Sequence, residues 1–284
     1  MDAVGCALLP SLCVLCGSPL PHLSLAPICH ACWAEFPALT GDLCRRCGDA
    51  LSAPASDRGA SLCRECRLAP PGFARAVAFG VYEGRMKAAI HALKYDKLHP
   101  AAHGLGRMLA QAIAQLAAEA PPEMLVIPVP LHRSKHAQRG FNQARSLAVH
   151  ALGFLGKSHP EWRLTLASST LMRLRATDSQ AGLTPRQRRI NVRGAFTVSD
   201  PAAVMLKHVL VIDDILTTGA TARAAAQALR RAGAASVWVA TLARAHRLNE
   251  PRSDYRTNEE KDNSEVTREM KESSTLSSQD QPSF

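Results

Sequence analysis

Short apolar runs alternate with longer stretches of helical spacing along most of this 284-residue chain. Residues Ala76 to Tyr82 read as a strand. Glu83-Gly84 then turns the chain, and Arg85 to Tyr95 carries Met86, Ile90 and Leu93 at helical spacing. The Ala- and Leu-rich stretch from about His103 to Ala118 predicts a second helix. Met124 to Val129 is a run bounded by Pro128 and Pro130, with the pattern of a strand buried on both faces. Asn142 to Leu152 is again helical in spacing, and Arg163 to Leu166 extends. Val209 to Ile212 and Val237 to Leu242 predict two further buried strands. Between them lies a helix over 221–232, with Gly233 as its stop. This alternation predicts an α/β fold, a mostly parallel sheet with helices on both faces.

The two ends break the pattern. Residues 1–70 are rich in Pro, Gly and Ser and have too few periodic apolar residues for a core of their own; Pro70-Pro71-Gly72 marks their boundary. Beyond residue 246 the only sizeable apolar residues are Leu248, Tyr255, Val266, Met270, Leu276 and Phe284, so 247–284 is expected to be a disordered tail. The expected organisation is therefore 1–70, 71–246 and the tail. No run of about 18 apolar residues occurs, so no membrane insertion is expected. Met1-Asp2-Ala3-Val4 lacks the positive flank of a secretory signal, and a cytoplasmic location is expected.

Charge sharpens the picture. The chain carries +10, while 247–284 holds six basic and nine acidic residues, so 1–246 carries +13. Such an excess fits an anionic ligand, either a diphosphate or a nucleic acid.

All nine cysteines lie within the first 66 residues, and eight form Cys-x-x-Cys pairs: Cys13/Cys16, Cys29/Cys32, Cys44/Cys47 and Cys63/Cys66. Two thiolates at this spacing grip one metal ion, so four pairs supply two tetrahedral Cys₄ sites for structural Zn²⁺. Gly17 and Gly48 follow the second cysteine of two pairs, where a tight knuckle needs an unhindered backbone. Sequential pairing is the economical arrangement, and an interleaved cross-brace is the alternative. Four thiolates leave no open position for chemistry. Cys6 is left over, in an apolar context.

The strand at 209–212 ends on two carboxylates, Asp213 and Asp214, followed by Thr217-Thr218-Gly219-Ala220-Thr221 and an alanine-rich helix. Gly219 lets backbone approach a ligand, and helix N-terminal N–H groups favour an anion. The acids suit hydroxyl groups or a metal ion. This block resembles the phosphoribosyl-diphosphate (PRPP) signature of type I phosphoribosyltransferases. The resemblance implies that Asp213 and Asp214 hold the ribose hydroxyls, directly or through Mg²⁺, and that Thr217, Thr218, Gly219, Ala220 and Thr221 wrap the 5′-phosphate.

Two more constellations carry positive charge. After the strand at 124–129 come His132, Arg133, Lys135, Arg139 and Arg145, with no acid between Glu123 and Glu161. This basic loop should face the same crevice as the acid pair, since ligands sit outside the carboxyl ends of strands in open α/β sheets. The pattern Pro-x-Pro-Leu-His, then Arg-Gly-Phe-Asn-Gln-Ala, taken with the paired cysteine knuckles and the acid-pair block, resembles the ComF family over about residues 6–246. The resemblance implies a type I phosphoribosyltransferase-like domain behind a double zinc ribbon. It also implies a link to competence and DNA uptake, and pyrophosphate contacts from Arg139, Gly140 and Asn142, then His132 and Arg133. Lys94 recurs in that pattern as a phosphate contact.

Residues 171–196 hold six arginines against Asp178 alone, and Arg173, Gln180, Arg188 and Asn191 match the ComF-like spacing. Such a segment could close over a leaving pyrophosphate, stay solvated, or contact nucleic acid. Two functions follow from these readings. One is a Mg²⁺-dependent phosphoribosyltransferase (Asp213, Asp214 and Arg188 as its catalytic candidates) acting on a nitrogenous acceptor. The other is a non-catalytic adaptor for single-stranded DNA or a competence helicase. No Gly-x-x-x-x-Gly-Lys-Ser/Thr, His-Glu-x-x-His or Gly-x-Ser-x-Gly motif occurs, so P-loop, zinc-protease and serine-hydrolase chemistries lose motif support.

Overall fold

The structure is a computed structural model that describes residues 11–21, 24–51, 61–95, 98–175 and 184–245. The expected tail at 247–284, Cys6 and Gln180 lie outside the described residues, as do the side chains of Arg186 and Arg189.

Two short helices belong to the cysteine-rich module, α1 (His30–Ala34) and α2 (Arg64–Leu68). The main sheet follows: β1 (Ala76–Val81), α3 (Gly84–Tyr95), α4 (Ala101–Ala114), β2 (Glu123–Pro128), α5 (Arg133–Arg139), α6 (Gln143–Ser158) and β3 (Arg163–Leu166). A two-stranded antiparallel ribbon, β4 (Leu171–Arg173) with β5 (Phe196–Val198), brackets α7 (Pro185–Val192). The chain then completes the sheet with β6 (His208–Leu216), α8 (Ala220–Arg231) and β7 (Ser236–Arg244).

Five strands pair in the order β1-β7-β6-β2-β3, every pair parallel. β6 and β2 are neighbours, and the chain leaves them in opposite directions: β2 leads outward to β3, whereas β6 leads to β7 on the other side. Their carboxyl ends therefore flank a topological switch point. The runs 209–212 of β6 and 237–240 of β7 are apolar, as burial on both faces demands, and polar residues enter these strands only on either side of those runs. One face is covered by α4 and α6 packed together, with Leu105, Leu109, Leu147 and Leu155 buried. The other face is covered by α8, whose Ala222, Ala225, Ala226 and Leu229 meet Val209, Val211, Val237 and Val239. None of the helices in the described residues is long and apolar enough to cross a membrane.

The cysteine-rich module has no core of its own and joins both layers. Cys13, Leu20, Ile28, Cys32 and Phe36 belong to the core on the α4–α6 side, while Cys44, Cys47, Cys66 and Phe73 belong to that on the α8 side. The segment after α1 also runs along the outer edge of β1. There Val81 donates its N–H to the Pro37 carbonyl (3.0 Å) and Leu39 donates to Phe79 (3.3 Å), so an otherwise open strand edge is occupied. This close approach depends on Gly80, where a Cβ would stand 2.2 Å from the Pro37 oxygen.

Candidate functional site

The first cysteine pair of each quartet turns on a left-handed glycine. Gly17 and Gly48 take φ of 73° and 66°, as their position after Cys16 and Cys47 requires. Cys29 donates its N–H to the Cys13 sulfur (3.3 Å), and Cys29 caps α1 by accepting from the Cys32 N–H (3.4 Å). The quartets are sequential: Cys13, Cys16, Cys29 and Cys32 in one, Cys44, Cys47, Cys63 and Cys66 in the other. Within each, all sulfurs lie within 4.8 Å of one another. Sulfur–sulfur separations are 3.6 Å (Cys13–Cys32), 3.7 Å (Cys16–Cys29) and 3.7 Å (Cys47–Cys63). A zinc ion with thiolates at about 2.3 Å in tetrahedral array requires about 3.8 Å, so the donor set fits. Crowding splits the thiols' proton affinities. Hydrogen bonds from Ser18 bring Cys16 down to about 6. The bond with Cys44 pushes Cys47 up to about 12, against the pull of the Arg244 charge. A divalent cation relieves this competition.

The second candidate centre forms at the switch point. β6 is longer than its apolar run suggests and carries Asp213 and Asp214 within the strand rather than beyond it. Asp214 is 4 % exposed and is ion-paired with Lys94, from the last turn of α3. Burial opposes its ionisation, yet the Lys94 ammonium overcomes this and holds Asp214 below the ordinary carboxylate range. Lys94 is raised in turn: burial disfavours its charge, and Asp214 more than compensates. Asp213, which accepts the Asp214 N–H at 2.9 Å, is pushed well above the usual range by burial and by the charge of its neighbour. The two acids are thus treated oppositely, one favoured as the carboxylate and one pushed towards holding a proton. Arg173, in β4, lies over the Phe196 ring (5.4 Å to the centroid). Its guanidinium is lowered by burial, an effect that the charge of Asp213 partly offsets.

Beyond Leu216 the chain makes the hydroxyl-rich turn. Gly219 is left-handed (φ 75°) and caps α8, Thr218 is buried, and the Thr218 hydroxyl accepts from the Ala220 N–H at 3.4 Å. Thr217 and Thr221 are half-buried at its rim.

The basic stretch after β2 is not a loop but the short helix α5. A 3.6-residue pattern was hidden there because none of its seven residues is buried. His132 caps its start by accepting from the Ser134 N–H (3.3 Å), Arg133 is exposed, and Gly140 ends it in the left-handed region. Arg139 donates to the Tyr95 hydroxyl (3.0 Å) and to Gln143 (3.4 Å), with its guanidinium 4.8 Å from the Tyr95 ring centroid. Since Tyr95 follows Lys94, α3 ends with one side chain on the acid pair and the next on Arg139. Asn142 is architectural in its contacts: it caps α6 through the Arg145 N–H (3.2 Å) and donates to the Val129 carbonyl (3.0 Å). Val129 in turn donates to the Ile212 carbonyl at 2.8 Å, fastening this segment to β6 beside the acids. Arg188 is half-buried on α7, which packs against α8.

Sequence reasoning missed Tyr95, Asp49 and Arg244. Arg244 is 1 % exposed. It pairs with Asp49 at 3.0 Å and donates to the carbonyls of Leu216 (2.7 Å) and Thr217. The signal available was a lone arginine closing an apolar strand of nine residues.

Comparison with known proteins matches two domains along the chain. The double zinc ribbon domain matches residues 5–67, and the phosphoribosyl transferase domain matches residues 166–273. The DNA utilization protein YhgH of Salmonella typhi is 34% identical over 237 residues, covering 83% of this chain and 97% of the relative. The chain belongs to the ComF/YhgH family. More distant ComF-type relatives include competence protein F of Haemophilus influenzae, 26% identical over 82% of this chain and 96% of its own length. Competence protein ComFC of Bacillus subtilis is 25% identical over 82% of this chain and 95% of its own length. As a ComF/YhgH protein, the chain joins a double zinc ribbon to a phosphoribosyltransferase-like domain.

Proposed function

We propose that the crevice at the carboxyl ends of β2 and β6 binds PRPP, and that the chain transfers its phosphoribosyl group to a nitrogenous acceptor. One observation carries this reading: an acid pair, half-buried at Asp213 and buried at Asp214, leads within two residues into a Thr-Thr-Gly-Ala-Thr turn at the start of α8, at the switch point of the sheet. The turn supplies backbone N–H groups and hydroxyls of Thr217, Thr218 and Thr221 to the 5′-phosphate, and Gly219 and Ala220 keep the backbone accessible. Asp213 and Asp214 take the ribose hydroxyls. Lys94, Arg139, His132, Arg133, Gly140 and Asn142 line the diphosphate side, and Arg173 and Arg188 approach from the β4–α7 segment.

The oxygen donors of the acid pair suit Mg²⁺, and Asp213 is the carboxylate whose proton a cation would replace. Bound with PRPP, Mg²⁺ supplies neutralisation of the diphosphate charge. The C1–O bond to diphosphate breaks with its electron pair leaving on diphosphate oxygen. The acceptor nitrogen's lone pair forms the C1–N bond, and its proton passes to the released diphosphate. Lys94, Arg139 and Arg173 contribute positive charge where negative charge develops.

Isothermal titration of PRPP with and without Mg²⁺ tests the reading, followed by a screen of nitrogenous acceptors for diphosphate release. Mg²⁺-dependent binding that Asp214→Asn abolishes is expected. A folded, zinc-loaded protein that takes up no PRPP sinks the proposal.

A second reading, an adaptor that holds single-stranded DNA, is favoured by a neighbouring cleft that shares Ala220 with the phosphate turn. It has a volume of about 690 Å³ and lies where Pro70–Gly72 meets α7 and α8; among the described residues Arg193, Arg223, Arg230 and Arg231 line it and no acid does. Salt-sensitive binding to single strands that survives Asp214→Asn is its signature.

A further inference from the structure

Arg244 is the most deeply buried charged side chain among the described residues, and it lies outside every motif recognised above. Its two guanidinium nitrogens divide their partners. Nη2 pairs with the Asp49 carboxylate at 3.0 Å, and Nη1 donates to the carbonyls of Leu216 and Thr217. Leu216's carbonyl also accepts from the Ala245 N–H (3.1 Å), so the last residue of β6 is held twice.

Asp49 is equally fixed. It follows Cys47 and Gly48 in the second knuckle, its side chain is 6% exposed, and its own carbonyl accepts from the Cys44 N–H at 2.7 Å. A continuous line of contacts therefore runs from Cys44 through Asp49 and Arg244 to the peptide groups that open the phosphate loop.

A buried ion pair is a poor device for stability alone, because apolar residues of the same shape commonly do as well or better. What it provides here is direction. In a trans peptide the carbonyl of one residue and the N–H of the next point opposite ways. Holding the carbonyls of Leu216 and Thr217 thus fixes where the N–H groups of Thr217 and Thr218 aim, on the side away from Arg244.

We propose that Arg244 is a positioning residue for the phosphate loop, and that through Asp49 it makes the loop's grip on phosphate depend on the folded second cysteine quartet. The affinity part of this inference rests on the PRPP reading; the loop-ordering part does not.

The test uses the full chain loaded with zinc. Two variants break the link in different ways: Asp49→Asn removes one charge, and Asp49→Leu with Arg244→Met replaces both with apolar groups, which keeps the fold if the single change does not. Zinc content, PRPP titration and hydrogen exchange at individual amides are read for each. Zinc content and the protection of Val209 to Ile212 are expected to stay at wild-type levels. Exchange at Thr217 and Thr218 is expected to accelerate, and PRPP affinity to fall about tenfold or more, the scale of loss that small misplacements produce. Wild-type exchange at Thr217 and Thr218 in the folded variants overturns the proposal, and so does accelerated exchange with unchanged PRPP affinity. If wild-type protein binds no PRPP while the variants loosen the loop, positioning by Arg244 stands and the PRPP reading falls.

Discussion

Asp213 and Asp214 are adjacent in sequence and opposite in behaviour because the Lys94 ammonium pairs with Asp214. That pairing leaves Asp213 to bear the burial and the neighbouring negative charge. A carboxylate raised in the folded state holds a proton that the unfolded chain releases. Its contribution to stability therefore falls as pH climbs from the ordinary carboxylate range through the raised value. Asp214 runs the other way: its contribution is present at neutral pH and is lost only on acidification through its lowered value. Asp213→Asn should consequently raise the melting temperature by about 2–5 °C at neutral pH, with a smaller gain at about pH 5, while abolishing PRPP binding. A melting temperature that stays level, or an advantage that shrinks as pH rises, would contradict the assignment. Titration in buffers of different ionisation enthalpy should also reveal proton release on ligand uptake. The residue types of this centre were legible from the Asp-Asp and Thr-Thr-Gly-x-Thr pattern. Lys94's bond to Asp214 was not, because 120 positions separate them and only the sheet brings them together.

Among the elements, long apolar runs were legible and short polar ones were not. β1, α3, β2, β3 and α8 lie within a residue or two of where hydropathy places them. β6 and β7 extend further, because pairing with a neighbour carries Asp213, Asp214 and Arg244 into the ladder despite their charge. α6 runs to Ser158, six residues past its apolar periodicity, and α5, with no residue buried, leaves no pattern. The edge of β1 is another feature that no local pattern announces. Gly80→Ala puts a methyl group against the Pro37 carbonyl and should detach that segment from the strand, costing about 1–3 kcal/mol. Denaturant titration checks the loss, and faster amide exchange at Leu39 and Val81 places it. Unchanged exchange at both would show that the strand edge does not need this contact.

At the scale of the whole molecule, the cysteine-rich module is part of the core rather than an appendage. Arg85 of α3 donates to the Cys32 sulfur at 3.2 Å and pairs with Glu35 at 2.9 Å, while Arg244 of β7 reaches Asp49. The cysteine spacing made both quartets legible; that each would plug a different layer was not, since the module's few apolar residues find their partners only after the sheet has formed. Removing metal with a strong chelator should therefore lower the melting temperature of the entire domain, well beyond local loosening of residues 11–51. A sheet that melts at the same temperature with and without chelator would refute this. Because the two quartets sit on opposite faces, they need not empty together. A cell short of metal would then hold an intermediate population, braced on one side and slack on the other, in which the supply of a trace nutrient reads out as the protein's working fraction.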